Sequence, residues 1–291
     1  MLDFLVKPLQ APFVQQALAE IVVLSLIVGV VGVYVVLRGL SFFSLALSHA
    51  IFPAVVIAYT TGLSYILVSL AAGIVVSLLI GLVSRNKRVG NEAAIGSLYT
   101  GVFALGIVLI SAAKSNKRLS EILFGRLFGV GWDDVVISLI VGAIVLFIMF
   151  IVRKEFLLTS FDPDMGRAMG LPTAALDLLF FALMSVTVIV SLPAVGNIQI
   201  IALLVTPPAT ARLLTERFRT MALLSVITAL LGGISGIYLA YHLDLVPGAT
   251  VVVTLTSLFL LTLFFAPRKG LLAIWFARRH LLTENPTISS K

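Results

Sequence analysis

Long apolar runs follow one another along almost the whole chain. They occupy residues 17–37, 41–62, 64–84, 93–113, 133–152, 173–195, 197–211, 221–241 and 249–266. A helix needs about 20 apolar residues to cross the hydrocarbon core of a bilayer. The run at 197–211 is therefore too short to cross alone, unless an irregular segment from Ser191 to Asn197 completes it. The pattern predicts an all-α integral membrane protein with eight or nine transmembrane helices.

Composition supports a membrane protein and excludes several other classes. Of the 291 residues, 60% are hydrophobic and 11% are charged, whereas soluble domains carry about 25% charged residues. The chain has no cysteine, which removes disulfides, thiolate metal sites and cysteine nucleophiles. The net charge of +7 comes from Lys and Arg placed between apolar runs, which is typical of topology signals and does not indicate nucleic-acid binding.

The basic residues also predict the orientation of the chain. Lys and Arg in short loops stay on the cytoplasmic side. With the loop 153–172 inside, most basic residues fall on that side, and nine spans place the N-terminus outside. We expect an N-terminal segment (1–16) that is not a removable signal peptide, a transmembrane domain (17–266) and a cytoplasmic tail (267–291). The outside loop Arg118–Trp132 has the spacing of a short interfacial helix.

The cytoplasmic loop 153–172 contains signals for a short helix outside the membrane. Asp162 is an N-cap candidate, and Pro163 suits the first helical position. Gly170 can adopt the left-handed C-cap conformation, and Pro172 prevents the helix from continuing. This helix is either a structured connector or a rigid docking element for a cytoplasmic partner.

His49 is the only histidine within a predicted span, with Ser48 beside it. It is either a neutral histidine bonded to a neighbouring helix or part of a metal path, since imidazole suits Mn, Fe, Zn or Ni ions. One imidazole is not a complete metal site. Glu20 and Asp177 lie near the ends of spans, where we expect solvation to explain them, and neither receives a role.

The eighth run contains Gly232 and Gly236, a pair of small residues that lets two helices approach closely. The same stretch contains Ser235 in a Gly-x-Ser-Gly pattern, which is used by intramembrane serine proteases. Ser235 would then need His49 or His242 as its base. Neither a phosphate-binding loop nor a His-Glu-x-x-His motif occurs in the sequence, so ATP would have to act through a partner subunit.

Several stretches together resemble the permease subunits of bacterial ABC importers for manganese, zinc and iron. They are Gly32–Ser41, Leu47–Ala54, Glu92–Gly96, Phe103–Ser111, Leu123–Gly125, Asp162–Pro172, Val205–Thr215 and Pro247–Thr250. The resemblance implies a fold like that of the vitamin B12 importer (type II), with two permeases around a central path. It also implies two cytoplasmic ATPases and an extracytoplasmic metal-binding protein, with no cofactor bound by this chain.

The resemblance assigns roles to two regions of the chain. It makes the loop helix the coupling helix that contacts the ATPase, with Asp162, Pro163, Asp164, Arg167, Met169 and Gly170 as its residues. It makes His49, and less directly Ser48, a metal-site residue. In this family an aspartate typically precedes the histidine by four residues, and here that position is Leu45.

Leu45 suggests that a second, different permease supplies the missing carboxylate, as in some manganese importers. We therefore expect ATP-driven import of Mn(II) by alternating access, with Zn(II) or iron as the alternative. A siderophore or cobalamin permease is disfavoured because such chains usually have one more N-terminal span. A passive channel would conduct without ATP.

Overall fold

The computed structural model describes residues 2–84, 91–112, 125–196, 199–267 and 270–272. Regular structure in these ranges is helical, with one 3-10 turn at Leu127–Gly129. The helices are α1 (Leu2–Leu9), α2 (Pro12–Leu37), α3 (Ser41–Ala50), α4 (Phe52–Thr61), α5 (Tyr65–Ser84), α6 (Asn91–Ala112), α7 (Trp132–Ile151), α8 (Arg153–Phe161), α9 (Pro163–Ala168), α10 (Thr173–Val195), α11 (Ile200–Leu214), α12 (Phe218–Leu243) and α13 (Pro247–Phe265).

Each predicted apolar run coincides with helical structure, and the all-α membrane fold is confirmed. Seven described segments have the length and composition to cross a membrane. The two remaining runs fall in α5 and α11, for which shorter apolar stretches are described, Leu67–Val76 and Ile200–Leu214. The short fifteen-residue α11 matches the expectation of a helix too short to span the bilayer alone.

The N-terminal segment contains helical structure ahead of the first apolar run. The short helix α1 precedes the first span, and α2 begins at Pro12, whereas the apolar run suggested residue 17. Proline suits the first position of a helix because its missing N–H would have no intrahelical partner there.

The second predicted span is interrupted at Ile51. Pro53 lacks the N–H that would bond to the carbonyl of His49, one turn earlier, in a continuous helix. The chain therefore ends α3 at Ala50 and begins α4 at Phe52. This interruption places His49 in the last turn of α3.

The predicted irregular segment from Ser191 to Asn197 is wrong over most of its length. Residues 191–195 continue α10, with Pro193 inside its last turns, and the helix ends at Gly196 with φ +83°. Pro193 is tolerated because membrane helices can satisfy the freed backbone groups locally. Asn197 lies outside the described residues. So does the first part (118–124) of the predicted interfacial helix 118–132, whose described end contains the 3-10 turn.

The helices form two groups that are bridged by α10. In the first, α2 packs against α7, α11 and α12, and α13 packs against α11 and α12. In the second, α3 and α4 pack against α6, and α4 against α5. Since α10 contacts α5 on one side and α2 and α7 on the other, it connects the helix that carries His49 with the rest of the bundle.

The predicted glycine pair lies where α12 crosses α13. A Cβ added at Gly232 would clash with the side chain of Leu255, and one at Gly236 with the backbone of Val251. Gly233, between them, packs against Ile21 of α2. Small residues at these positions let three helices approach closely, which is how helices in lipid gain packing energy.

Replacing Gly236 with leucine should therefore separate α12 from α13. We expect G236L to lower the free energy of unfolding by about 1–3 kcal/mol, since overpacking of this kind costs that much. Yield of folded protein and thermal unfolding in detergent measure the effect. Gly101 on α6 has no atom near an added Cβ, so G101L is the matched control. Equal losses in both variants would contradict the close approach at Gly236.

Candidate functional site

His49 is held in one orientation by its own helix. Its Nδ1 lies 2.9 Å from the carbonyl oxygen of Leu45. A carbonyl can only accept a hydrogen bond, so Nδ1 carries the proton and donates. In the neutral ring the lone pair is then on Nε2, which makes no hydrogen bond among the described residues. Metal-binding histidines are commonly oriented in this way, with one ring nitrogen bonded to a carbonyl and the other free to ligate.

Aromatic side chains of α6 surround the half-buried imidazole. Its ring centroid is 5.9 Å from that of Tyr99 and 5.1 Å from that of Phe103, the latter edge to face. Tyr99 and Phe103 are four residues apart, so they lie on the same face of α6. Phe52, at the start of α4, also contacts Phe103, with centroids 5.2 Å apart. The imidazole therefore lies at the junction of α3, α4 and α6, in mainly apolar surroundings.

Ser48 lies beside the protonated nitrogen of the imidazole. Its buried hydroxyl donates to the Leu45 carbonyl at 2.9 Å and is 3.3 Å from Nδ1 of His49. In this arrangement the hydroxyl helps to hold the ring and does not face Nε2. Leu45 lies one turn before His49 on the same helix face. It contributes a carbonyl oxygen towards Nδ1 but no charged ligand.

Among the described residues, no group of three or more His, Asp or Glu side chains could hold a metal ion. A transition-metal ion with carboxylate or imidazole ligands usually needs more than one protein donor. The His49 imidazole is therefore an incomplete coordination site within the described part of this chain.

The loop helix α9 begins as its capping signals predict. The Asp162 carboxylate accepts a hydrogen bond of 2.8 Å from the backbone N–H of Met165, and Pro163 occupies the first turn. Gly170 has φ +78°, the left-handed conformation that ends the turn. The helix itself covers residues 163–168, and the remaining residues of the predicted range 162–170 are its caps.

The outer face of α9 combines exposed methionines with a charged pair. Met165 is 50% exposed and Met169 is 63% exposed. Arg167 and Asp164 form an exposed ion pair on the same helix. The inner face is Gly166, which is buried where an added Cβ would meet the methyl groups of Thr159 and Thr173. The helix therefore rests on α8 and on the start of α10, and presents its apolar side chains outward.

A buried arginine connects three helices next to α9. Arg38, just after α2, donates from Nη1 to Asp177 of α10 at 2.8 Å. It also donates from Nε to Ser160 at 2.9 Å and from Nη2 to Thr159 at 2.8 Å, both on α8. The guanidinium lies over the ring of Phe180, 4.7 Å from its centroid. Burial lowers the pKa of Arg38, and the Asp177 carboxylate opposes this shift.

This network corrects the interpretation of both charged residues. The sequence suggested that Arg38 is a topology signal and that Asp177 is explained by solvation, but the two form an ion pair. Arg38 is also almost entirely buried, with 7% of its side chain exposed. The partners lie more than 100 positions apart in the chain, and no local pattern could have paired them. The one available signal was that both charges fall at span ends on the same predicted side.

Glu20 is also not explained by solvation, since only 1% of it is exposed. Ser138 of α7 donates to its Oε1 at 2.8 Å. No local pattern indicated this contact, because the two residues belong to different apolar runs.

The Ser235 hydroxyl is bonded within its own helix, where it donates to the carbonyl oxygen of Leu231. Nδ1 of His49, one of the two possible bases, is bonded to the Leu45 carbonyl on α3. The arrangement lends no support to a serine protease centre.

Comparison with known proteins identifies the family. Residues 10–266 match the ABC 3 transport family. The chain belongs to this family. It is a permease of the metal-ion ABC transporters, the multi-pass membrane subunit that lacks the ATPase site of the complex.

The relatives and a solved structure agree with this assignment. The chain is 38% identical over 269 residues to the manganese transport system membrane protein MntC of Halalkalibacterium halodurans, covering 92% of each chain. It is 32% identical over 266 residues to a probable iron transport system membrane protein of Haemophilus influenzae, covering 91% of this chain and 98% of the relative. The structure of PsaBC from Streptococcus pneumoniae in complex with Fab superposes with a TM-score of 0.84 at 32% identity, covering 92% of this permease and 96% of that chain. The type II permease fold is thereby confirmed.

If Nε2 of His49 ligates the transported ion, His49→Ala should reduce metal uptake steeply while the complex still assembles. Alanine is tolerated in a helix, so the loss would come from the missing ligand. Uptake per assembled transporter in proteoliposomes is the measurement, with His242→Ala as the control for loss of a histidine elsewhere. Unchanged uptake together with lower thermal stability would make His49 a packing residue.

Proposed function

We propose that this permease moves Mn(II) into the cell as the membrane subunit of an ATP-driven importer. The supporting observation is the imidazole of His49, whose Nδ1 is occupied by the Leu45 carbonyl so that Nε2 can ligate. Imidazole suits first-row transition-metal ions better than Mg or Ca. The manganese assignment is supported by the 38% identical relative, which is named as a manganese transport protein.

Import proceeds by alternating access in this proposal. A divalent ion that enters a low-dielectric path loses hydration and needs at least transient ligands. His49 provides one of these, and the rings of Tyr99 and Phe103 limit the water around it. An ATPase dimer that closes on nucleotide changes which side of the membrane the path faces. The N-terminus is outside and the loop that contains α9 is cytoplasmic.

Iron is the second candidate substrate. A relative at 32% identity is named as a probable iron transport protein, and imidazole also ligates iron. Zinc, which the resemblance allows, is not favoured by any contact at His49. We therefore rank manganese first and iron second.

The choice is tested by uptake of radiolabelled ions into proteoliposomes that contain the complete transporter and its extracytoplasmic binding protein. We expect ATP-dependent Mn(II) uptake that excess Fe(II) or Zn(II) inhibits less well than unlabelled Mn(II). Uptake without ATP would indicate a channel and would contradict the importer. Preferred uptake of iron or zinc would reassign the substrate.

The short helix α9 is the coupling helix in this proposal. Its exposed Met165 and Met169 suit an apolar groove on an ATPase subunit, and the Asp164–Arg167 pair suits the polar rim of that groove. Because Gly166 packs against Thr159, a displacement of α9 would also displace α8. Since Arg38 bonds both Thr159 and Asp177, the displacement would then reach α2 and α10.

Placing a charge on this face should uncouple the transporter. We expect R167D and M169D each to lower stimulation of ATP hydrolysis by the metal-loaded binding protein, or to prevent assembly with the ATPase, because a desolvated carboxylate would enter the groove. Leu245→Asp is the matched control, an exposed apolar residue between α12 and α13 at the opposite end of the bundle. Normal stimulation in both α9 variants would contradict the coupling role.

A second permease completes the metal site in this proposal. The motivation is Leu45, which lies where a carboxylate would share the face of α3 with His49. Purification through a tag on this chain should recover a paralogous permease at equal stoichiometry. A fully active complex with two copies of this chain would refute the heterodimer. In that case Leu45→Asp should tighten metal binding, since it adds an anionic oxygen ligand one turn from the imidazole.

A further inference from the structure

A small pocket of about 70 Å³ lies between α2, α7 and α10, apart from His49. Its polar lining is Glu20 of α2 together with Asp134 and Ser138 of α7, and the rest is apolar. Asp134 and Ser138 are four residues apart and therefore lie on one face of α7. The pocket thus has a carboxylate at its exposed end and a second carboxyl group in its interior.

Only one of the two oxygen atoms of the interior carboxyl group has a hydrogen-bond partner in the described part of the chain. Ser138 donates to Oε1 of Glu20 at 2.8 Å, whereas the buried Oε2 has no hydrogen-bond partner among the described residues. No described Lys, Arg or His forms an ion pair with Glu20. An ionised carboxylate in such surroundings would be desolvated without compensation, whereas a neutral carboxylic acid would not.

The groups around Glu20 do not offset a negative charge there. Asp134 is itself acidic and therefore provides no positive charge that could compensate an ionised Glu20. From α10, the pocket is lined by Ile189, Val190, Pro193 and Ala194, which carry no charge. Arg126, before the 3-10 turn, donates its backbone N–H to the Pro193 carbonyl, but its side chain is exposed and makes no ion pair with Glu20.

The helices α1, α11 and α12 also pack on α2. Lys7 of α1 is exposed, and Arg212 in the last turn of α11 lies at the opposite end of α2, where it donates to the Val36 carbonyl. Towards this end of α12 lie the titratable side chains of Tyr238, Tyr241 and His242, and Tyr241 packs on Phe13, near the start of α2. At the level of Glu20 itself, α12 presents Gly233 to the neighbouring Ile21.

The pocket also provides a route to solvent. Asp134 is exposed in the first turn of α7, where its Oδ2 accepts the backbone N–H of Gly131 at 3.0 Å. A proton taken up by Asp134 has one helical turn to travel before it reaches Ser138 and Glu20. This end of α7 is opposite to the end that continues into α8 and α9, so exchange takes place on the side away from the coupling helix.

The hydrogen bond between Ser138 and Glu20 joins α7 to α2. The helix α7 continues through Val152 directly into α8 and then α9, whereas α2 packs against α11 and α12. A displacement of α9 that moves α7 relative to α2 would change this contact.

The geometry points to a proton-binding site at Oε2 of Glu20, loaded from the extracytoplasmic side by way of Asp134, whose occupancy changes with the position of α7. A proton from external water adds to Oε2 and leaves by the same route, and no other bond is made or broken. The inference rests on the permease architecture and not on which metal is transported.

Infrared spectroscopy of the assembled transporter in nanodiscs tests the site directly. At neutral pH we expect the wild type to show the C=O stretching band of a protonated carboxylic acid, and E20Q to lose it. D133N, which removes an exposed carboxylate beside Asp134, should keep the band. Identical carboxylic-acid spectra for wild type and E20Q would mean that Glu20 is ionised and would overturn the proposal.

Ser138→Ala provides a second variant in case E20Q does not assemble. Loss of the hydroxyl donor should shift the frequency of the band without removing it, and an unchanged band would contradict the assignment to Glu20.

The effect of the site on the transport cycle is measured by ATP hydrolysis stimulated by the binding protein. Stimulation should fall as the pH is raised in the wild type, because Glu20 loses its proton, whereas E20Q should not show this fall. Parallel pH profiles would refute a link to the cycle.

Discussion

The end of the bundle next to α9 depends on the contacts of one buried group, the guanidinium of Arg38. It follows directly after α2, and its donors reach α8 and α10 at the same time. Below it lies an aromatic cluster in which Tyr34, Phe156 and Phe180 have ring centroids about 6 Å apart. Arginine suits this place because its planar group can stack on a ring while several N–H groups donate in fixed directions. The loop that contains α9 is thereby connected to the membrane helices at one defined point.

The polar groups within the membrane follow from the cost of placing them there. Most Ser and Thr hydroxyls of the spans donate to a carbonyl one turn earlier, as do Thr187, Ser191 and Thr254. Among the described residues, several polar groups are not satisfied in this way, including the buried hydroxyls of Ser25 and Ser69. Two further groups lie at the candidate sites. His49 keeps Nε2 without a hydrogen-bond partner in the described part of the chain, and Glu20 keeps Oε2 in the same condition. Polar groups that lack a hydrogen-bond partner at membrane depth cost free energy, and such groups commonly mark functional sites.

In the proposed heterodimer, the metal-binding pattern at positions 45 and 49 is divided between two subunits. One turn of α3 presents both side chains, so a single substitution removes the anionic ligand and leaves the helix intact. The imidazole is still oriented by a backbone carbonyl, which does not depend on the side chain at position 45. A site with one oriented ligand fits a path completed by another polypeptide.

The succession of apolar runs was sufficient to predict the spans, because a bilayer requires about 20 apolar residues for each crossing and each backbone polar group must be satisfied within the helix. The caps of α9 were predictable for a similar reason, since Asp162 and Gly170 act on backbone within a few residues of themselves. The ion pair of Arg38 with Asp177 and the contact of Glu20 with Ser138 were not predictable. Both join residues more than 100 positions apart, and their pairing depends on which helices become neighbours. Local propensity and hydrophobicity determine each helix, whereas the packing of α2 against α7, α8 and α10 alone decides which polar groups meet.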